Sequence, residues 1–161
     1  MKILHLLSAA AAMTASITAS AQTVERKYGT PSAVIASSVA VPATARIIFL
    51  SGATASPIDP KVTDTPDAYG DTAAQTQSIF TKMKAQLAAM GMTMGDIVKL
   101  NVFLVGDPKN GGAMDREGMN KVFTTFFGPA DQPNRPARST VQVAALGRPQ
   151  ILVEIEGVAA K

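Results

Sequence analysis

The chain has 161 residues, with 15 Lys and Arg against 12 Asp and Glu, a single histidine and no cysteine. That length suits one domain with a real core, and without cysteine the fold must hold by packing or oligomerisation rather than disulfides. The basic residues are scattered rather than gathered in a stripe, which argues against a nucleic-acid surface despite the net charge of +3.

The first segment has the three parts of a secretory leader. Lys2 is followed by an apolar run from Ile3 to Met13, and the small residues Ala19-Ser20-Ala21 place cleavage before Gln22. The run is short for a spanning helix and diluted by Ala, Ser and Thr, so no stable membrane insertion is expected after cleavage. The mature protein is expected to be exported, either periplasmic or secreted. Lys2 and His5 depart with residues 1–21, leaving 14 basic residues against 12 acidic ones, a net charge of +2. A mature chain without His or Cys excludes Ser-His-Asp and Cys-His nucleophilic systems and zinc sites built on those ligands. Only an all-oxygen metal site stays open. Any catalysis rests on Arg, Lys, carboxylates, hydroxyls, backbone groups and water.

Residues 22–33 are polar and read as a leading arm, with the domain proper over 34–161. Val34 to Val41 and Arg46 to Ser51 read as two strands joined at Pro42-Ala43. Gly52 to Gly70, with Pro57, Pro60 and Pro66, has no period and reads as a long loop. Thr72 to Met90 is a helix, capped by a Thr72/Gln75 box or by Asp71 alone, with Ile79, Met83, Leu87 and Met90 on its apolar face and Gly91 as its stop. Ile97 to Val105 is a strand. Met114 to Phe127 is a second helix, with Met119, Val122, Phe123 and Phe126 inward and Gly128-Pro129 ending it. Arg138 to Leu146 and Ile151 to Ala159 read as a closing hairpin around Gly147-Arg148-Pro149. The order β-β-α-β-α-β-β predicts an α/β domain whose two helices cover one face of a mixed sheet. A homo-oligomer packing sheets around a shared axis is the expected cover for the other face.

The hairpin carries the chemistry. Side chains alternate along a strand, so Arg138, Thr140 and Gln142 share one face and Ser139, Val141 and Val143 the other. Pairing Ala145 with Ile151 would set Gln142 opposite Glu154 and Thr140 opposite Glu156. Arg138 would then lie four residues, roughly 13 Å, from the level of Glu154. Bringing both onto one small ligand would require two neighbouring subunits. Arg135 and Arg148 read as surface charges.

These residues fall into a familiar series. Phe49-Leu50-Ser51-Gly52, Gly95-Asp96-Ile97-Val98-Lys99 with Val102-Phe103, and Asn120 ahead of Phe126-Phe127 precede Arg135-Pro136-Ala137-Arg138-Ser139 and Val153-Glu154-Ile155-Glu156. Over residues 34–160 this series resembles the Rid family, the YjgF group of enamine/imine deaminases. The resemblance implies a chorismate-mutase-like α/β fold assembled as a homotrimer, with ligand clefts between subunits. It also implies hydrolysis of reactive 2-imino acids, tautomers of enamines, to 2-oxo acids and ammonia. Arg138 matches the arginine that clamps the substrate carboxylate, a task suited to a planar guanidinium making two parallel bonds. Glu154 matches the carboxylate beside the attacking water. Ser51 and Asn120 match lesser members of the pocket. No metal or organic cofactor is implied, and the partners are a small imino or enamino acid and the chain itself, with no nucleic acid.

One departure is local. The family's Gly-Pro-Tyr segment, whose tyrosine walls the pocket, is replaced here by Ala36-Ser37-Ser38, putting Ser38 at the tyrosine's place. Tyr28 in the arm is nearest in sequence, and Tyr69 in the long loop is the candidate substitute. The alternative reading is a non-catalytic binder of small carboxylates or a holdase-type chaperone. The ribonuclease label sometimes attached to the family ranks last, since the chain has no His pair, metal cluster or basic stripe to support it.

Overall fold

The computed structural model describes residues 23–161, so the leader and its cleavage point lie outside the described residues. Within this range the strands are β1 (Glu25–Lys27), β2 (Ser38–Ala40), β3 (Ile47–Thr54), β4 (Ile97–Val105), β5 (Ala137–Val143) and β6 (Val153–Ala160). The helices are α1 (Thr72–Ala89) and α2 (Arg116–Phe126). Among the described residues no helix is long and apolar enough to cross a membrane.

Both helices form where local chemistry favours them. Asp71 caps α1 by accepting from the Ala74 amide at 2.8 Å, and Asp115 caps α2 in the same way through the Gly118 amide, also at 2.8 Å. Gly91, at φ +72°, takes the left-handed conformation that ends α1. Ile79, Met83 and Leu87 are buried as their spacing predicts, together with Phe80. The Phe80 ring meets Phe123 and Phe127 of the second helical segment at centroid distances of 6.2 and 5.5 Å, both edge-on. Edge-to-face pairs of this kind add about 0.5–1.5 kcal/mol each beyond burial.

The main sheet has the order β3-β6-β4-β5, with β6 antiparallel to both neighbours and β4 parallel to β5. A strand, a crossover helix and a second strand make the β4–α2–β5 pair parallel. Val98, Leu100, Val102 and Leu104 of β4 and Val153, Ile155 and Ala159 of β6 are buried in the core with the helices. The opposite face is open and carries exposed apolar groups, with Phe49 80%, Ile47 48% and Val141 47% accessible. Two helices on one face of a mixed sheet is the architecture that the element order predicts.

Two strand pairings differ from the sequence reading. β5 and β6 do not form a hairpin, because β4 lies between them. Gln142 pairs with Leu104 and Thr140 with Val102, while Glu154 faces Phe103 and Thr54, and Glu156 faces Asn101. A short connector favours a hairpin locally, but the buried alternation of β6 needs a strand on each side. Gln75 then holds that strand's entry in place. Its buried amide donates to the carbonyls of Gly70 (3.1 Å) and Gln150 (2.9 Å), and its oxygen accepts from the amides of Leu152 (2.8 Å) and Val153 (3.3 Å). So Gln75 anchors the sheet, and the capping box with Thr72 does not form. The second difference is at the start of the domain. β2 pairs with β1 inside the leading arm, in register Lys27↔Ser38, and β3 pairs with β6.

Replacing Gln75 by Leu leaves four buried or part-buried backbone groups without their side-chain partner. The variant is expected to lose about 4 kcal/mol or more of unfolding free energy, since each orphaned buried group costs about 1–3 kcal/mol. Urea denaturation of Gln75→Leu beside the parent chain measures this.

Candidate functional site

The residues singled out in the sequence form two groups on opposite faces of the sheet, one on the edge strand β5 and one on the inner strand β6. The first lies on the edge strand β5. Arg138 pairs with Leu100, so its side chain is on the helix-covered face. There its Nη2 donates to Asn120 Oδ1 at 2.7 Å, its Nη1 donates to Met119 Sδ at 3.6 Å, and its guanidinium carbon sits 4.3 Å from the Phe123 ring centroid. Met119, Asn120 and Phe123 of α2 thus all contact the same cation. No carboxylate within ion-pair distance compensates Arg138 among the described residues, where the ion pairs are Lys109–Asp67 and Arg148–Asp64. Burial pushes the guanidinium down to about 10, and repulsion from Arg116 acts in the same direction. At neutral pH it remains a cation, half-buried and without a counter-ion among the described residues. Thr140, two residues on and on the same face, has a buried hydroxyl with no hydrogen-bond partner.

The second group gathers around Glu154 on β6. Glu154 pairs with Phe103, which places it on the open face, opposite to Arg138. Its carboxylate lies against Gly52 of β3, so close that a Cβ at Gly52 would collide with Oε1. A register shift between Leu50 and Ala53 makes this approach possible by bending β3 around the carboxylate. Glu154 accepts no hydrogen bond from the described residues, and it lines a cleft of about 400 Å³ with Thr54 and Tyr69. Tyr69 thus lines the same cleft as Glu154, while Phe103 is the glutamate's cross-strand neighbour. Tyr28 is engaged elsewhere: its hydroxyl accepts from the Arg135 amide at 3.2 Å and its ring lies under the Arg135 guanidinium.

The remaining candidates divide between these places. Asn120 belongs with Arg138. Ser51, exposed on β3, lines a separate shallow cleft of about 210 Å³ with Lys99, Asn101 and Glu156, where Asn101 Nδ2 donates to Glu156 Oε1 at 2.8 Å. Ser38, exposed on β2, lies toward the β5 edge, since nearby Ala36 bridges to Ala137. Arg138 and Glu154 are two strands and three residues apart, about 14 Å between backbones, and they point to opposite faces. The distance inferred from a hairpin was close to this, but the cause is different. The hairpin reading put the pair on one face, whereas the intervening β4 puts them on two. Thr140 was visible in the alternation as a neighbour of Arg138, but only packing reveals that its hydroxyl is unpartnered. Among the described residues no three His, Cys, Asp or Glu side chains converge as a metal site would require.

An uncompensated half-buried cation should welcome a small anion. A saturating small carboxylate such as 2-oxobutanoate is expected to raise the melting temperature, with about 2.7 kcal/mol of stabilisation at a hundredfold excess over Kd. Arg138→Met should melt at the same temperature as the parent or higher, because an apolar side chain replaces a buried charge. The same variant should lose the carboxylate-induced shift, all of which differential scanning fluorimetry reads.

Comparison with known proteins agrees with this geometry. Residues 30–161 match the family described as Endoribonuclease L-PSP. A RutC family protein of Pyrococcus horikoshii is 33% identical over 114 residues, covering 71% of this chain and 79% of its own. A 2-iminobutanoate/2-iminopropanoate deaminase of Escherichia coli K12 is 33% identical over 105 residues, 65% of this chain and 73% of that protein. The crystal structure of E. coli TdcF with bound serine superposes with a TM-score of 0.56 at 30% identity, over 75% of this chain and 84% of that one. Sequence motifs, fold and relatives converge, and the chain belongs to the Rid (YjgF) family.

Proposed function

We propose that this protein hydrolyses reactive 2-imino acids to 2-oxo acids and ammonia at clefts formed between the subunits of a homotrimer. The observation that carries this reading is the half-buried Arg138 cation, held by Asn120 and lacking a counter-ion among the described residues. Such a group is built for a carboxylate ligand. The named activity of the E. coli deaminase and the serine bound to TdcF support the same substrate class.

In this reading the substrate carboxylate takes two parallel hydrogen bonds from Arg138, while Asn120 fixes the guanidinium plane. Glu154 holds a water against C2 of the imine and takes its proton as the oxygen attacks. The C=N π pair moves to nitrogen, which is protonated from Glu154. Glu154 then takes the hydroxyl proton of the resulting carbinolamine and passes it to the amine, the C–N bond breaks, ammonia leaves, and the carbonyl forms. Water is the only co-reactant, and no redox step occurs.

Two subunits are needed because one chain keeps Arg138 and Glu154 on opposite faces. A heterologous contact that brings the β5 edge of one subunit to the Glu154 cleft of the next would complete each site and close as a ring. It would also cover the exposed Phe49, Ile47 and Val141 face. The proposal includes export, on the leader pattern of residues 1–21.

The test is an amino-acid-oxidase-coupled assay of imine decay, using the chain from Gln22. The parent protein should accelerate decay and Arg138→Ala should not; equal rates for the two would sink the proposal. Gly52→Ala, which displaces the Glu154 carboxylate, should lower kcat by about tenfold to a hundredfold while leaving carboxylate binding in place. Mixed oligomers isolate the shared-site claim. Unfolding and refolding Arg138→Ala together with Glu154→Gln in equal amounts should restore about a quarter of the parent activity, since one heterologous interface in four then holds both native residues. A site contained in one chain would restore none.

A further inference from the structure

We propose that the imino acid is dicarboxylic, with its second carboxylate held by Arg148; this rests on the hydrolytic reading above and names its substrate class. Arg148 lies in the turn before β6 and lines the same cleft as Glu154, with Thr54, Ser56, Tyr69 and Ile151. Its volume of about 400 Å³ falls in the range of small-molecule sites.

Three observations point to a ligand carboxylate at Arg148. First, Arg148 and Glu154 form no ion pair with each other among the described residues, so the cleft's cation and anion stand apart with room between them. Second, the guanidinium is only loosely engaged. Its Nη1 is 3.7 Å from Asp64 Oδ1, and the two side chains are 57% and 89% exposed. A long, solvated pair of this kind is weak and exchanges readily for a better-placed carboxylate. Third, the surrounding backbone is pinned although the side chain is not. Gln150 Nε2 donates to the Asp64 carbonyl at 3.0 Å, the Ile151 amide donates to the Arg148 carbonyl at 3.1 Å, and Gln75 clamps Gln150 from behind. Arg148 is therefore presented from a fixed turn toward a fixed cleft.

Charge balance gives the substrate class. The α-carboxylate is assigned to Arg138 of a neighbouring subunit, so what enters the Glu154 cleft is the side chain. A neutral aliphatic side chain could pack on Ala55, Pro57, Tyr69 and Ile151 but would leave the Arg148 guanidinium without a ligand partner. A carboxylate there would be repelled by Glu154 unless matched by a cation, and Arg148 is the cation among the lining residues. Tyr69, only 6% exposed, forms one wall of the cleft.

The experiment compares the imine of glutamate, made with glutamate oxidase, against the imine of methionine, made with a general amino-acid oxidase. The parent chain from Gln22 should favour the glutamate imine in kcat/KM. In Arg148→Met the ratio of the two kcat/KM values should fall by about tenfold or more, the usual size of losing one charge-assisted contact. Arg148→Lys should recover part of that ratio. A ratio unchanged by Arg148→Met, or a parent chain that prefers methionine imine, overturns the assignment. Should the parent chain hydrolyse neither imine, the hydrolytic reading fails, and calorimetric titration decides the Arg148 assignment separately. Tighter binding of 2-oxoglutarate than 2-oxobutanoate, lost in Arg148→Met, supports it; equal affinities overturn it.

Discussion

The insertion of β4 between β5 and β6 governs where every chemically useful side chain ends up. β4 and β6 are both buried on the helix side by strict alternation, so each side chain's face follows from its pairing partner. Arg138 is level with buried Leu100 and therefore turns toward α2. Glu154 is level with Phe103 and therefore turns away. One residue of slip in either register would exchange the faces and bury the wrong groups, which is why an arrangement with one group on each face is so strongly specified.

Arg138 illustrates the stability given up for such an arrangement. A cation drawn partly out of water next to Phe123 and Met119, with a neutral amide as its best partner, is poorly compensated. Desolvation dominates its environment and a second arginine adds to it. A protein optimised only for folding would place an apolar residue there. The cost makes physical sense when a carboxylate ligand completes the site.

The long loop between β3 and α1 has a similar logic. Ala68 and Tyr69 pack with Ala55 and Ile151 into a small apolar cluster separate from the main core, while Gln75 and Gln150 tie the neighbouring backbone together. This cluster carries an aromatic ring to the Glu154 cleft from a different part of the chain than the missing Gly-Pro-Tyr segment. Tyr28 cannot do so, because its ring and hydroxyl are both occupied by Arg135.

Much of this was legible along the chain. The 3.6-residue spacing of Ile79, Met83 and Leu87, the caps at Asp71 and Gly91, and the two-residue alternation of β4 and β6 are local signals, and they determined both helices and the principal strands. Arg138, Asn120 and Glu154 were nominated by their places in motifs that resemble a known family, in a stretch that contains no histidine or cysteine. Strand neighbours were another matter. Pairing is a contest between distant segments, and a short connector such as Gly147-Arg148-Pro149 looks the same whether it closes a hairpin or steps across an intervening strand. Gln75 looked like a capping residue because its true partners are some 75 positions away. For the same reason, only the tertiary structure decided that Arg138 and Glu154 occupy opposite faces, and that Tyr69 and Arg148 share a cleft with the glutamate.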